Sequence, residues 1–182
     1  MSSPENRKKN GGIWYPGDVC QTAIGQSDTL VTPLQLANYI ATIANGGTRY
    51  RPHLIKSIEN SDKTVSGENT PEILDTVELS EENREAIARG LRMVVTEGTA
   101  FSAFAGCKTS VAAKTGSAQT SGVYTNGICV AYAPYEQPRI AIACIVEKAG
   151  SGSNVAQAVR KVVDSYFEDT DENDIRTNVL TR

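Results

Sequence analysis

Residues 110–146 read SVAAKTGSAQTSGVYTNGICVAYAPYEQPRIAIACIV. Three runs rich in apolar and β-branched residues, 110–118, 126–133 and 139–146, alternate here with turn formers. Gly122 and Asn126-Gly127 fall at the first connection, and the Pro134–Pro138 loop supplies the second. Connections this short imply antiparallel neighbours. A turn at Tyr135-Glu136-Gln137-Pro138 sets Pro134 opposite Arg139 and, counting outward, Cys129 opposite Cys144. Opposed Cα atoms lie about 4.5–5.5 Å apart, within reach of a cross-strand disulfide. Two small buried hydrophobes are the simpler reading of the same pair.

The first run contains Ala113-Lys114-Thr115-Gly116-Ser117-Ala118-Gln119. Alternate side chains of a strand share a face. Thr115 and Ser117 therefore lie on one face and Lys114 on the other. Gly116 leaves bare backbone against which a ligand chain could lie closely. Two hydroxyls, open backbone and a nearby ammonium form a cradle for a carboxylate and a carbonyl. Gln119 follows Ser117 on the same face, either as a supporting contact or as a solvated strand end. Taken alone, the triplet Lys-Thr-Gly also fits an ordinary exposed strand.

Helices flank this sheet. Thr32 is an N-cap, Pro33 suits the first helical position, and Gln35 completes a capping box. Val31 and Leu36 are placed for a hydrophobic staple. Leu36, Ile40, Ile43 and Ala44 give this helix its apolar face, and Gly46-Gly47 ends it. A second helix is expected over 81–97, capped by Ser80 and broken at Gly98, with Ile87, Leu91, Val94 and Val95 as its buried stripe. Val155, Ala158, Val159, Val162, Val163 and Tyr166 mark a last amphipathic helix packed on the sheet. Residues 1–16 read as a loop, 51–58 as a short extended segment, and 60–70 as a polar loop. Residues 17–168 form the folded body. Residues 169–182 are acidic and polar and read as a disordered tail. Helices against an antiparallel sheet make an α+β fold.

Composition narrows the function. The 182 residues carry a net charge of −3, with no basic patch interleaved with aromatics, so no nucleic-acid partner is expected. No apolar run approaches the roughly 20 residues that span a bilayer, and the first residues do not read as a charged-then-apolar signal. Four cysteines without a Cys-x-x-Cys pair, and a single histidine, His53, speak against a zinc site, and no cofactor is expected. His53 and the Trp14-Tyr15 pair show no partner motif, and Asp171–Asp174 reads as a solvated charge run.

An ordered set of motifs goes further. Ala23-Ile24-Gly25-Gln26-Ser27, Val31-Thr32-Pro33-Leu34-Gln35-Leu36-Ala37 and Ala44-Asn45-Gly46-Gly47 are followed by Gly98-Thr99-Ala100, Lys114-Thr115-Gly116 and Ala131-Tyr132-Ala133-Pro134. Over residues 17–167 this closely resembles the transpeptidase domain of monofunctional, class B, high-molecular-weight penicillin-binding proteins. Lys-Thr-Gly is one of three active-site elements of that family. The other two, a Ser-x-x-Lys nucleophile and a Ser-x-Asn element, do not occur in this sequence. The family usually has glycine at the positions of Ser27 and Ala113, threonine at that of Ser117, and an aromatic near Ile128-Cys129.

The resemblance implies the C-terminal half of a transpeptidase domain, with the nucleophilic serine upstream of residue 1. It implies a partial β-lactamase-like fold whose last hairpin strand, Arg139–Val146, leaves an exposed edge. Such an edge invites pairing, so a homodimer of this piece is expected. The implied partners are a peptidoglycan stem peptide ending in D-Ala-D-Ala, β-lactam antibiotics, and the N-terminal half of the parent domain. The implied location is the extracytoplasmic face of the bacterial membrane. Lys114 is the implied catalytic residue, and Thr115, Gly116, Ser117 and Gln119 the substrate-binding group. Thr99 either shapes the approach to the site or packs. Two other classes remain open at this point: a β-lactam sensor or β-lactamase relative, and a non-catalytic interaction module.

Overall fold

The computed structural model describes residues 2–120 and 122–168. Two short helices, α1 (Pro4–Lys9) and α2 (Pro16–Ala23), precede α3 (Pro33–Ala44). Four short strands follow, β1 (Thr48–Tyr50), β2 (Ser57–Glu59), β3 (Val65–Glu68) and β4 (Ile73–Thr76). Helix α4 (Glu81–Thr96) and the single turn α5 (Phe101–Phe104) lead into β5 (Ala112–Gln119), β6 (Thr125–Ala133) and β7 (Ile140–Val146). Helix α6 (Gly152–Glu168) ends the described chain.

The central sheet has the order β5-β6-β7, all antiparallel. Its register places Thr115 opposite Cys129 and Cys129 opposite Cys144, the pairing expected from the turn. Both thiols are free, and Cys129 is fully buried. Period-two alternation divides the sheet between two cores. Ala113, Cys129, Ala131 and Ala133 face α6, where they meet Val155, Val159 and Val163. Ala112, Val130 and Tyr132 face α3, where they meet Ile40. Each fully buried valine of α6 contributes about 1.5–3 kcal/mol through apolar burial.

Local chemistry sets the helix ends. Gln35 N–H donates to Thr32 Oγ1 at 3.2 Å, and Thr32 N–H donates to Gln35 Oε1 at 2.8 Å, the expected capping box. Asn83 N–H donates to Ser80 Oγ at 3.3 Å at the start of α4. Arg92 ties α4 to the sheet by donating to the Val111 carbonyl at 2.7 Å.

Several expectations need correction. Residues 1–16 are not all loop: α1 begins at Pro4, with Ser3 Oγ accepting from Asn6 N–H. This helix buries no residue, so it left no apolar period in the sequence. It is held by ions instead, with Arg7 pairing to Asp18 at 3.2 Å and to Asp28 at 2.5 Å. The polar stretch 60–70 contains β3, which pairs with β2 around a turn where Asp62 accepts from Thr64 N–H at 2.9 Å. In α6 the buried row is Val155, Ala156, Val159 and Val163, while Ala158 and Val162 face solvent. In α4 only Val95 is fully buried, and Ile87 is 38% exposed. The tail expected over 169–182 lies outside the described residues.

Candidate active site

Among the described residues β5 pairs only with β6, which leaves its other edge open. Two contacts reveal which backbone groups face outward. Lys114 Nζ donates to the Thr115 carbonyl at 2.6 Å, and Gln26 Nε2 donates to the Ser117 carbonyl at 3.4 Å. A strand residue directs its N–H and C=O to the same side. Thr115 and Ser117 thus present both groups to the open edge, while Gly116 presents its own to β6. Thr115 and Cys129 are then a non-hydrogen-bonded pair, and Cys129 and Cys144 a hydrogen-bonded one.

The side chains sort as alternation requires. Lys114 lies in the row of Val130 and Ala143, on the α3 face, and Thr115 and Ser117 lie on the α6 face. Both hydroxyls already have partners outside the triplet. Thr115 Oγ1 lies 2.7 Å from Thr99 Oγ1. Ser117 Oγ accepts from the Gly152 N–H at 3.2 Å, at the start of α6. Gly152 must be glycine for this approach: a Cβ there would lie 2.4 Å from the Gly116 carbonyl oxygen and 2.5 Å from that of Ile128. Gly116 itself is free of such crowding, with Ile128 Cβ 3.6 Å from where its own Cβ would stand. Gln119 pairs with Thr125 at the exposed end of β5 and shares the face of Ser117.

Burial raises the Cys129 thiol from 9.0 to about 12, assisted by Cys144, so this buried neighbour of Thr115 is a neutral packing group. Among the described residues no cluster of His, Cys, Asp or Glu could hold a metal ion. No helix among them is long and apolar enough to cross a membrane.

The stretch ahead of α3 contributes Gln26, a site neighbour that sequence reading did not single out. Its place comes from the turn after α2. Ser27, where the family usually has glycine, has a φ of 74°, in the left-handed region that favours glycine. Its hydroxyl compensates by bonding Ser2 Oγ at 3.0 Å and accepting from Arg7 Nη2 at 3.3 Å.

Comparison with known proteins identifies the family. Residues 3–164 match the family described as penicillin binding protein transpeptidase domain. The chain belongs to that family. The class B penicillin-binding proteins it resembles include penicillin-binding protein 2A of Bacillus subtilis, 38% identical over 172 residues, covering 84% of this chain and 24% of the relative. Peptidoglycan D,D-transpeptidase MrdA of Haemophilus influenzae is 34% identical over 179 residues, covering 85% of this chain and 26% of the relative. A crystal structure of Pseudomonas aeruginosa PBP2 in complex with WCK 5153 superposes with a TM-score of 0.78 at 34% identity, covering 96% of this chain and 39% of that one. The chain thus spans about a quarter of the length of these curated relatives. The match starts at residue 3, so α1 and α2 belong to the transpeptidase domain together with the sheet.

Proposed function

We propose that this chain is one wall of a peptidoglycan D,D-transpeptidase site that works through an acyl-serine and binds penicillin. The nucleophilic serine stands elsewhere in the full-length protein. The serine attacks the penultimate D-alanine carbonyl of a stem peptide, the terminal D-alanine leaves, and an amine of a neighbouring stem takes the acyl group. β-Lactams resemble the D-Ala-D-Ala end and hold the serine as a stable acyl-enzyme. The chain alone is inactive. The site faces the extracytoplasmic side of the membrane.

The observation that carries this reading is the open edge of β5, where the outward backbone of Thr115 and Ser117 meets the Lys114 ammonium. An extended stem peptide adds to that edge as a strand, displacing the weak Gln26 contact. The Ser117 N–H stabilises the developing oxyanion. Lys114 supplies positive field and a proton path beside the serine. Thr115 and Ser117 hydroxyls bind the ligand carboxylate, Gly116 leaves room for its backbone, and Gln119 supports the far end.

The N-terminal half of the parent domain covers an apolar groove of this chain. Leu30, Val31, Tyr39 and Ile87 are exposed around an open groove of about 550 Å³ between α3 and α4. Isolated from that half, the chain pairs with a second copy through β7.

The test uses the full-length protein and a fluorescent penicillin. A label that survives denaturation, slowed about a hundredfold or more by Lys114→Ala, is the expected result. No label on the folded full-length protein would overturn the reading.

A further inference from the structure

Thr99 follows α4 in a turn that is fixed on both sides. A Cβ on Gly98 would lie 2.8 Å from Val94 Cα, and Ala100 is wholly buried, its N–H donating to the Val94 carbonyl at 3.0 Å. Thr99 itself is exposed and belongs to neither apolar core. Packing therefore gives no reason for its side chain. Among the described residues its one polar side-chain contact is with Thr115, hydroxyl to hydroxyl at 2.7 Å.

Two hydroxyls in contact hold two protons but use only one between them. If Thr115 donates to Thr99, Thr115 has no proton left for a ligand. If Thr99 donates, the Thr115 proton is free to point at the open edge. An anion at that edge selects the second arrangement, and a chain of hydroxyls ending on an anion strengthens each of its links. The bond also fixes which branch of the β-branched Thr115 side chain carries the oxygen toward the turn.

We propose that Thr99 is a positioning residue for carboxylate recognition, setting the rotamer and proton direction of Thr115 from outside the Lys-Thr-Gly element. This rests on the reading of Thr115 as a carboxylate ligand given above. Thr99 forms no bond to the reacting carbonyl. Its effect is confined to ligands that bear the carboxylate.

The test compares acylation of the full-length protein by benzylpenicillin and by its methyl ester, which lacks the anion. Thr99→Val keeps the shape and removes the hydroxyl. It is expected to lower the ratio of the two second-order rates, carboxylate over ester, by about five- to tenfold. Thr99→Ser restores most of the ratio, because it returns the hydroxyl in a smaller side chain. An unchanged ratio in Thr99→Val, or equal losses with both ligands, overturns the proposal while leaving the transpeptidase reading standing. A wild-type protein acylated by neither ligand overturns both. A thermal melt of each variant, unchanged from wild type, shows that the comparison concerns the site.

Discussion

The Gly152 N–H donates to Ser117 Oγ across 3.2 Å, so the first residue of α6 holds a hydroxyl of β5. The donor fills one lone pair of Ser117 and leaves its proton for a ligand. Because the Gly152 Cα also abuts the backbone of Gly116 and Ile128, Gly152→Ala is expected to destabilise the chain by about 2–3 kcal/mol in urea denaturation. Ser117→Ala, which removes the hydroxyl that accepts the Gly152 N–H, is expected to cost about 1 kcal/mol. Equal stability of wild type and Gly152→Ala would mean that the close approach is not a constraint.

Cys129 gives a pH dependence with a definite sign. Its thiol titrates at about 12 when folded, against 9.0 ordinarily, because burial disfavours the thiolate. Across that window the unfolded chain binds fewer protons than the folded one, so stability falls as pH rises. Tyr132, raised from 10.0 to about 12 by burial, acts in the same direction. Replacing Cys129 by alanine should flatten part of this slope. An alkylating reagent at mildly alkaline pH should modify the exposed Cys20 and spare Cys129 until the chain unfolds.

The Thr32 cap offers a local test. Thr32→Ala deletes the hydroxyl that accepts the Gln35 N–H and should cost about 1 kcal/mol. Thr32→Ser should retain most of the stability.

The β7 edge predicts association. Ala141, Ala143 and Ile145 alternate with residues whose backbone faces β6, so their own N–H and C=O groups face outward, with no strand beside them among the described residues. No charge or proline guards this run of Ile140–Val146. Sedimentation of the isolated chain should show a concentration-dependent dimer, weakened by Ile145→Lys. A monomer at every concentration would remove the edge-pairing account.

Much of this arrangement was legible in the sequence because it is local. The capping box at Thr32 and Gln35, the Ser80 cap and the turn that sets Cys129 against Cys144 each depend on residues a few positions apart. The short helices α1 and α2 were not legible, since they bury nothing and are held by Arg7, Asp18 and Asp28 across a distance in sequence. Ile87 looked like core by its helical spacing, yet it lies on the open groove. At the site, alternation gave the faces of Lys114, Thr115 and Ser117. It could not give Thr99, Gln26 or Gly152, which reach β5 from turns 16, 91 and 35 residues away.

On the proposed function this chain supplies the Lys-Thr-Gly wall while the acylated serine stands outside it. Mass-spectrometric mapping of the penicillin-bound peptide tests this directly, with the full-length protein and the isolated chain treated side by side. One acylated serine is expected in the full-length protein, outside these 182 residues, and no adduct on the isolated chain. An adduct on a serine of the isolated chain would contradict it.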